Sequence, residues 1–352
     1  MIHQRIGSGG MGEVYEVEHA LLGRRAALKV LHAGQKYAAG VAAAMADEGR
    51  FLASVRHPNL VDVLDLGILE ADGRPYLILE LLEGRDLRKE LSRLRLFSVP
   101  AAMEIVAQVL RGLSALHQAG IVHRDLKLEN LFFCADGRVK ILDLGAAEAR
   151  SSDIARRGLL LGTPRTMAPE HAAGKSVDCR ADLYAMGLVL YELICGCGPF
   201  DDVESPEALQ FAHAERTPAP PSRRSMQPIS AEMDAFVLRA LAKSPDERFP
   251  NAEVMLMELL AQMPRSAWSG HGAIGTECLL DTEPSAGIFS SIGKPEPNLK
   301  ETPPEPRIKA DRAWPAAISA LALAALALGV TVGRLLPSEV SSSLRTSAFV
   351  GR

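Results

Sequence analysis

The sequence has few of the residues that mark several classes of protein. Its 352 residues include only five cysteines, which are scattered and form no C-x-x-C pair, so a disulfide framework and a zinc site are not expected. The net charge of −4, without a long basic run, argues against nucleic-acid binding. The first twelve residues contain no apolar stretch of the kind found in signal peptides. The cysteine pattern suits a reducing cytoplasm.

The apolar pattern divides the chain into four parts and a short tail. Short β-compatible runs separated by turns dominate residues 1–82, and helices dominate residues 83–263, among them helices predicted at 100–119 and 181–195. Residues 264–312 are rich in Pro, Gly, Ser and Glu, which predicts a flexible linker. Residues 313–333 carry no charge and as a helix would span roughly 30 Å, enough to cross a membrane. A hydrophobic tail of a soluble protein is the alternative. Residues 334–352 form the tail.

A glycine-rich motif lies close to the N-terminus. It fits the pattern G-x-G-x-x-G-x-V and consists of Ile6, Gly7, Ser8, Gly9, Gly10, Met11, Gly12, Glu13 and Val14. Glycines let a backbone hairpin approach phosphate groups, with its N–H groups facing the anion. The same spacing occurs in dinucleotide-binding folds, where a helix follows the glycines. Here β-type residues follow, which predicts a strand–turn–strand clamp for phosphates.

Lys29 lies in the apolar run Ala26-Ala27-Leu28-Lys29, 17 positions after Gly12. A lysine in an apolar strand needs an anionic partner. The helix predicted at residues 38–55 offers Glu48, with Asp47 as the alternative. A Lys29–Glu48 ion pair would hold the ammonium group against the α- and β-phosphates of a nucleotide.

The strongest motif runs from His123 to Asn130 and fits H-R-D-L-x-x-x-N. We expect Asp125 to orient a substrate hydroxyl and accept its proton, and Lys127 to neutralise charge on the transferred phosphoryl group. Asn130 is expected to ligate Mg²⁺. Asp143 follows a strand-like run and precedes a flexible glycine, which suits a second Mg²⁺ ligand. An ordinary turn aspartate is the alternative for Asp143.

These segments and Ala168-Pro169-Glu170, in this order, resemble the protein kinase superfamily, and bacterial eukaryotic-like serine/threonine kinases in particular. The resemblance covers about residues 1–263. It implies an α+β, two-lobed kinase fold, with a small β-rich N-lobe at 1–82 and a larger helical C-lobe at 83–263. It also implies ATP and Mg²⁺ (or Mn²⁺) as cofactors, and protein substrates with Ser or Thr hydroxyls.

The resemblance assigns further residues by position. For the nucleotide it implies Val14 and Ala27 above the adenine, Phe132 below it, Leu79 as gatekeeper, the backbone of Glu80 and Leu82 at the adenine edge, and Asp86 at the ribose. Asp182 resembles the aspartate that braces the catalytic loop, and Arg248 the arginine that pairs with Glu170. Thr163 matches the threonine that links Asp125 and Lys127 in Ser/Thr kinases. Leu128 replaces a proline and Leu144 a phenylalanine, and both are apolar changes that should preserve activity.

Regulation and location are predicted from neighbouring features. Arg124 resembles the arginine that receives a phosphate from the activation loop, where Ser151 and Ser152 are candidate acceptors; solvated loop serines are the alternative. The kinase part is expected in the cytoplasm, anchored to the cell membrane by a single pass at 313–333 and active in signalling. No oligomeric state is predicted.

Two other functions remain as alternatives. A catalytically silent scaffold would be expected to lose Lys29, Asp125, Asn130 or Asp143, and all four are present. A small-molecule phosphotransferase generally lacks the A-P-E segment.

Overall fold

A computed structural model describes residues 1–9, 12–32, 49–50, 53–143, 164–203 and 205–263. Several predictions lie outside these residues. They concern Gly10, Met11, Asp47, Glu48, Leu144, Ser151, Ser152, Thr163, the linker at 264–312, the apolar segment at 313–333 and the tail at 334–352.

The N-terminal part forms a five-stranded antiparallel sheet in the order β1-β2-β3-β5-β4. Its strands are β1 (Ile2–Ser8), β2 (Gly12–Glu18), β3 (Arg25–Leu31), β4 (Val63–Ile68) and β5 (Pro75–Glu80). The alternation of apolar side chains places one small cluster on each face, because successive residues of a strand point to opposite sides. This sheet is the predicted β-rich lobe.

A second sheet and the helices make up the rest. The strands of the second sheet are β6 (Gly84–Asp86), β7 (Leu131–Cys134) and β8 (Val139–Ile141). The helices are α1 (Leu87–Leu94), α2 (Val99–Gln118), α3 (Pro169–Ala172), α4 (Arg180–Cys195), α5 (Pro206–Glu215), α6 (Ala231–Ala240) and α7 (Ala252–Ala261). Short 3₁₀ turns occupy Leu128–Asn130, Pro164–Thr166, Pro221–Arg223 and Pro245–Glu247. All of these elements belong to one compact unit.

The main core is built around α2 and α4. Ser98 caps α2 by accepting a hydrogen bond from Ala101 N, and Pro100 fits the first turn, where no backbone N–H is needed. Helix α4 is buried on nearly every side, as expected for a helix that is apolar all round. These two helices position the catalytic segment that follows α2.

Helix α2 is also the one helix, among the described residues, with the length and hydropathy of a membrane span. Its mean hydropathy is 1.3, and 61% of the window is buried inside the fold. Burial in the core accounts for this composition.

Candidate active site

The glycine-rich hairpin joins β1 to β2. Gly9 N donates to Gly12 O at 2.9 Å, and His32 Nε2 lies 2.7 Å from Gly9 O. A side chain at Gly12 would collide with the backbone oxygen of Val30, whereas one at Gly9 would meet none of the described residues within 4 Å. Gly12 therefore serves the close approach of β2 to β3. Among the described residues, none lies close to the position of a side chain at Gly9, which is compatible with a phosphate-binding loop.

Lys29 lies on β3, opposite Val14 of β2 and Leu77 of β5. It is a buried residue, and its ammonium group is ion-paired with Asp143 Oδ1. A buried lysine needs such a counter-charge. The contact brings together the residue predicted to bind phosphates and a predicted metal ligand. The predicted Lys29–Glu48 pair remains a prediction, because Glu48 lies outside the described residues.

The backbone before Asp125 is held by a buried carboxylate. Asp182 accepts hydrogen bonds from His123 N at 2.9 Å and Arg124 N at 2.8 Å, and from His117 Nε2 at 2.8 Å. Burial alone would raise the pKa of Asp182, but the His117 contact and the backbone donors hold it below the usual aspartate value. Asp182 thus makes the bracing contact that the resemblance implied.

The predicted catalytic side chains lie together beyond this turn. Lys127 Nζ donates to Asp125 Oδ2 at 2.7 Å. Asn130 Nδ2 donates to Asp125 O at 2.7 Å and to its Oδ2 at 3.2 Å. Leu142 N donates to Asn130 O at 2.8 Å, which places Asn130 beside the residue that precedes Asp143. The structure therefore brings Asp125, Lys127, Asn130 and Asp143 into one site.

The donor set fits a hard divalent cation. The amide nitrogen of Asn130 is committed to Asp125, so its amide oxygen remains to act as a ligand, together with the carboxylate of Asp143. Within the described residues, no group of three or more His, Cys, Asp or Glu side chains could enclose a metal ion. Mg²⁺ does not need such a cage, since it commonly takes one or two carboxylates and completes its shell with phosphates and water.

The residues predicted around the adenine lie on neighbouring strands. Ala27 of β3 is opposite Leu79 of β5, and Ala27 is buried. The N–H of Glu80 donates to Asp62 O at 3.0 Å and is therefore occupied within the fold. Phe132 lies on β7, opposite Asp86 of β6.

Asp86 has a structural contact that sequence reasoning missed. Its side chain caps α1 by accepting from Lys89 N at 2.8 Å, and it forms an ion pair with Lys89 Nζ at 2.8 Å. An aspartate directly before an amphipathic stretch was the available signal for this cap.

Lys140 is a second residue missed from the sequence. It is buried on β8, and its Nζ donates to Glu80 Oε1 at 2.5 Å and to Leu60 O at 3.0 Å. Glu80 Oε1 also accepts from Asp62 N at 2.8 Å. The segment predicted to bind the adenine is thus tied to the strand that leads to Asp143. A lysine inside a three-residue apolar strand was the only signal for this contact.

The Ala168-Pro169-Glu170 segment is anchored by Arg248. The guanidinium donates to both carboxylate oxygens of Glu170, at 2.8 and 2.7 Å. Its other N–H groups donate to the backbone oxygens of Arg180, Ala242 and Lys243 at 2.8–3.1 Å. The pair implied by the resemblance is therefore present, and it is buried.

Comparisons with known proteins agree with this geometry. The family described as protein kinase domain matches residues 1–260. The chain is 40% identical to serine/threonine-protein kinase Pkn1 of Myxococcus xanthus, over 70% of this chain and 36% of that protein. It is 39% identical to the kinase pkn3 of the same organism (73% and 48%) and 35% identical to PknB of Mycobacterium leprae (82% and 46%). The chain spans less than half the length of these relatives. It belongs to the protein kinase family.

Proposed function

We propose that this chain is a serine/threonine protein kinase, which transfers the γ-phosphoryl group of ATP to Ser or Thr hydroxyls of protein substrates. The observation that carries the proposal is the convergence of Lys127 and Asn130 on the carboxylate of Asp125, beside the Lys29–Asp143 pair. The relatives named above are themselves described as serine/threonine-protein kinases.

The proposed reaction uses Asp125 to position the acceptor hydroxyl and take its proton. A bond forms between the hydroxyl oxygen and the γ-phosphorus, and the bond from phosphorus to the β–γ bridging oxygen breaks. Lys127 is placed to neutralise charge on the transferred group. Asn130 and Asp143 would hold Mg²⁺, which when bound screens the phosphate charges. Lys29 would hold the α- and β-phosphates, with Glu48 as its second carboxylate partner and Asp47 as the alternative.

A radiolabelling assay tests this function. Asp125→Asn should reduce transfer from [γ-³²P]ATP to a generic protein substrate by roughly 10²–10⁴-fold, the usual contribution of a general base. Asp136→Asn is the matched control, because Asp136 is an exposed turn residue paired with Arg138. Equal labelling by wild type and Asp125→Asn would refute the assignment.

We also propose the organisation and location of the chain from its sequence. The kinase domain would occupy residues 1–263 and lie in the cytoplasm, with the linker at 264–312 leading to a single-pass helix at 313–333 and the tail at 334–352. Retention of the full chain in carbonate-washed membranes would support this, and release into the wash would contradict it.

We propose that phosphorylation at Ser151 or Ser152 activates the kinase, with Arg124 binding the phosphate. Thr163 is the proposed link between Asp125 and Lys127. Mass spectrometry of ATP-treated protein tests the phosphosites, and finding no phosphate in residues 146–166 would remove them.

A further inference from the structure

A charged cluster lies next to the catalytic segment but outside the groups assigned to phosphoryl transfer. Arg88 of α1 donates from Nε to Glu129 Oε1 at 3.0 Å, and its terminal nitrogen lies 2.6 Å from Glu192 Oε2 of α4. Glu129 is the central residue of the turn between Lys127 and Leu131. We call Arg88, Glu129 and Glu192 the Arg88 cluster.

The charges of the Arg88 cluster do not cancel. One guanidinium faces two carboxylates, which leaves one negative charge. The Glu192 side chain is only 7% exposed, and this burial raises its pKa against the lowering effect of Arg88. Arg165 and Asp201 also act on Glu192, but they are ion-paired with each other and contribute opposite signs. Arg88 is therefore the group that reduces the negative charge of the Arg88 cluster.

The Arg88 cluster is close enough to meet an acceptor peptide. Glu129 follows Asp125 by four residues, and only the last part of this separation belongs to the 3₁₀ turn that begins at Leu128. With about 3.3 Å for each extended residue and about 2 Å for each residue of the turn, the two residues are separated by at most roughly 11 Å. About three extended residues of a peptide, at about 3.3 Å each, cover a similar distance. The side chain of Glu129 is 47% exposed, whereas its neighbours Leu128 and Asn130 are buried. A peptide with its hydroxyl at Asp125 can thus bring a side chain next to Glu129.

We propose that Arg88 is a specificity-determining residue of the acceptor site, an inference that rests on the proposed kinase function. By pairing with Glu129 and Glu192, Arg88 occupies carboxylates that would otherwise attract a basic substrate side chain. The favoured acceptors are then Ser or Thr segments without a requirement for Arg or Lys within three residues of the hydroxyl.

The test compares peptides that differ by one charge. A neutral serine peptide and a set with single arginines at each of the three positions on either side are assayed with the full chain. In wild type, kcat/KM for each arginine peptide should stay close to that of the neutral peptide. In Arg88→Ala, the ratio of kcat/KM for an arginine peptide to kcat/KM for the neutral peptide should rise roughly five- to tenfold at one or two positions, as expected for a partly exposed charge pair. Adding Glu129→Gln should remove most of the gain.

The controls separate specificity from folding. Arg93→Ala removes another arginine of α1, one that pairs with Glu90, and should leave every ratio unchanged. If Arg88→Ala does not fold, because buried Glu192 has lost its partner, Arg88→Met with Glu192→Gln keeps Glu129 exposed and should show the same gain. Unchanged ratios in a folded variant, or failure of both variants to fold, would make Arg88 structural and overturn the proposal. Failure of the wild-type chain to phosphorylate any peptide would instead count against the kinase function.

Discussion

The Arg248–Glu170 pair permits a quantitative prediction of stability. The Arg248 side chain is 0% exposed, and its five N–H groups make five hydrogen bonds, two of them to Glu170. Arg248→Met would leave a carboxylate that is only 7% exposed without its counter-charge, and three backbone oxygens without these donors. Breaking a buried pair from one side costs about 3–5 kcal/mol, and an unsatisfied buried acceptor adds about 1 kcal/mol or more.

With about 1 kcal/mol for each of the three oxygens, the expected loss is on the order of 6–8 kcal/mol, a large part of the roughly 5–15 kcal/mol that stabilises a typical domain. In a domain of this size each kcal/mol shifts Tm by about 2–4 °C, so the variant should melt roughly 12–32 °C below wild type. Differential scanning fluorimetry and urea unfolding of the full chain measure both quantities. Arg248→Met with Glu170→Met should recover part of the loss, because apolar groups can replace a buried ion pair.

Arg138→Ala is the control for this prediction. Arg138 pairs with Asp136, but their side chains are 56% and 49% exposed, and such surface pairs contribute about 0–1 kcal/mol. If Arg248→Met lowers the unfolding free energy no more than Arg138→Ala does, the argument from burial is wrong.

Two further predictions concern buried titratable groups. Lys140→Met should weaken ATP binding about three- to tenfold with little change in kcat, because Glu80 loses its ion pair with β8. Calorimetric titration with ATP measures this affinity, and Lys175→Met, at an exposed lysine, is the control. Equal affinities of Lys140→Met and wild type for ATP would contradict the prediction. Buried His213 has its pKa lowered to about 4 by desolvation and nearby Lys243, so its contribution to stability is complete above about pH 6.5 and is lost as pH falls toward 4. When the pH falls from 7 to 4.5, the free energy of unfolding of His213→Gln, measured with urea, should decrease by about 2–3 kcal/mol less than that of wild type. The prediction is wrong if His213→Gln has the same pH dependence as wild type and the His3→Gln control.

Features set by local sequence were predicted well. The helix expected at residues 100–119 is found at Val99–Gln118, and that expected at 181–195 is found at Arg180–Cys195. Periodic apolar positions and a helix-compatible proline define such elements within a few residues. The order of the motifs likewise indicated which side chains meet at Asp125, since the segment from His123 to Asn130 is continuous.

Contacts between distant segments were harder to predict. Lys29 is paired with Asp143, 114 residues away, and Lys140 with Glu80, 60 residues away. Neither periodicity nor spacing carries this information, because an ion pair depends on how β3, β5 and β8 are placed in the folded chain. The Arg88 cluster joins three separate elements and was missed for the same reason.

The backbone around the catalytic residues adds information that no motif contains. Among the described residues, three that are not glycine have positive φ: Arg95, Arg124 at 66° and Asp143 at 48°. A left-handed conformation costs such residues about 1 kcal/mol or more, and it persists only where the surroundings hold it. Arg124 is held in this conformation by Asp182, which accepts hydrogen bonds from the backbone N–H groups of His123 and Arg124. The buried carboxylate thus stabilises a conformation that the local sequence disfavours, directly before the proposed proton acceptor. We infer that Asp182 contributes to function by positioning Asp125 rather than by contacting substrate.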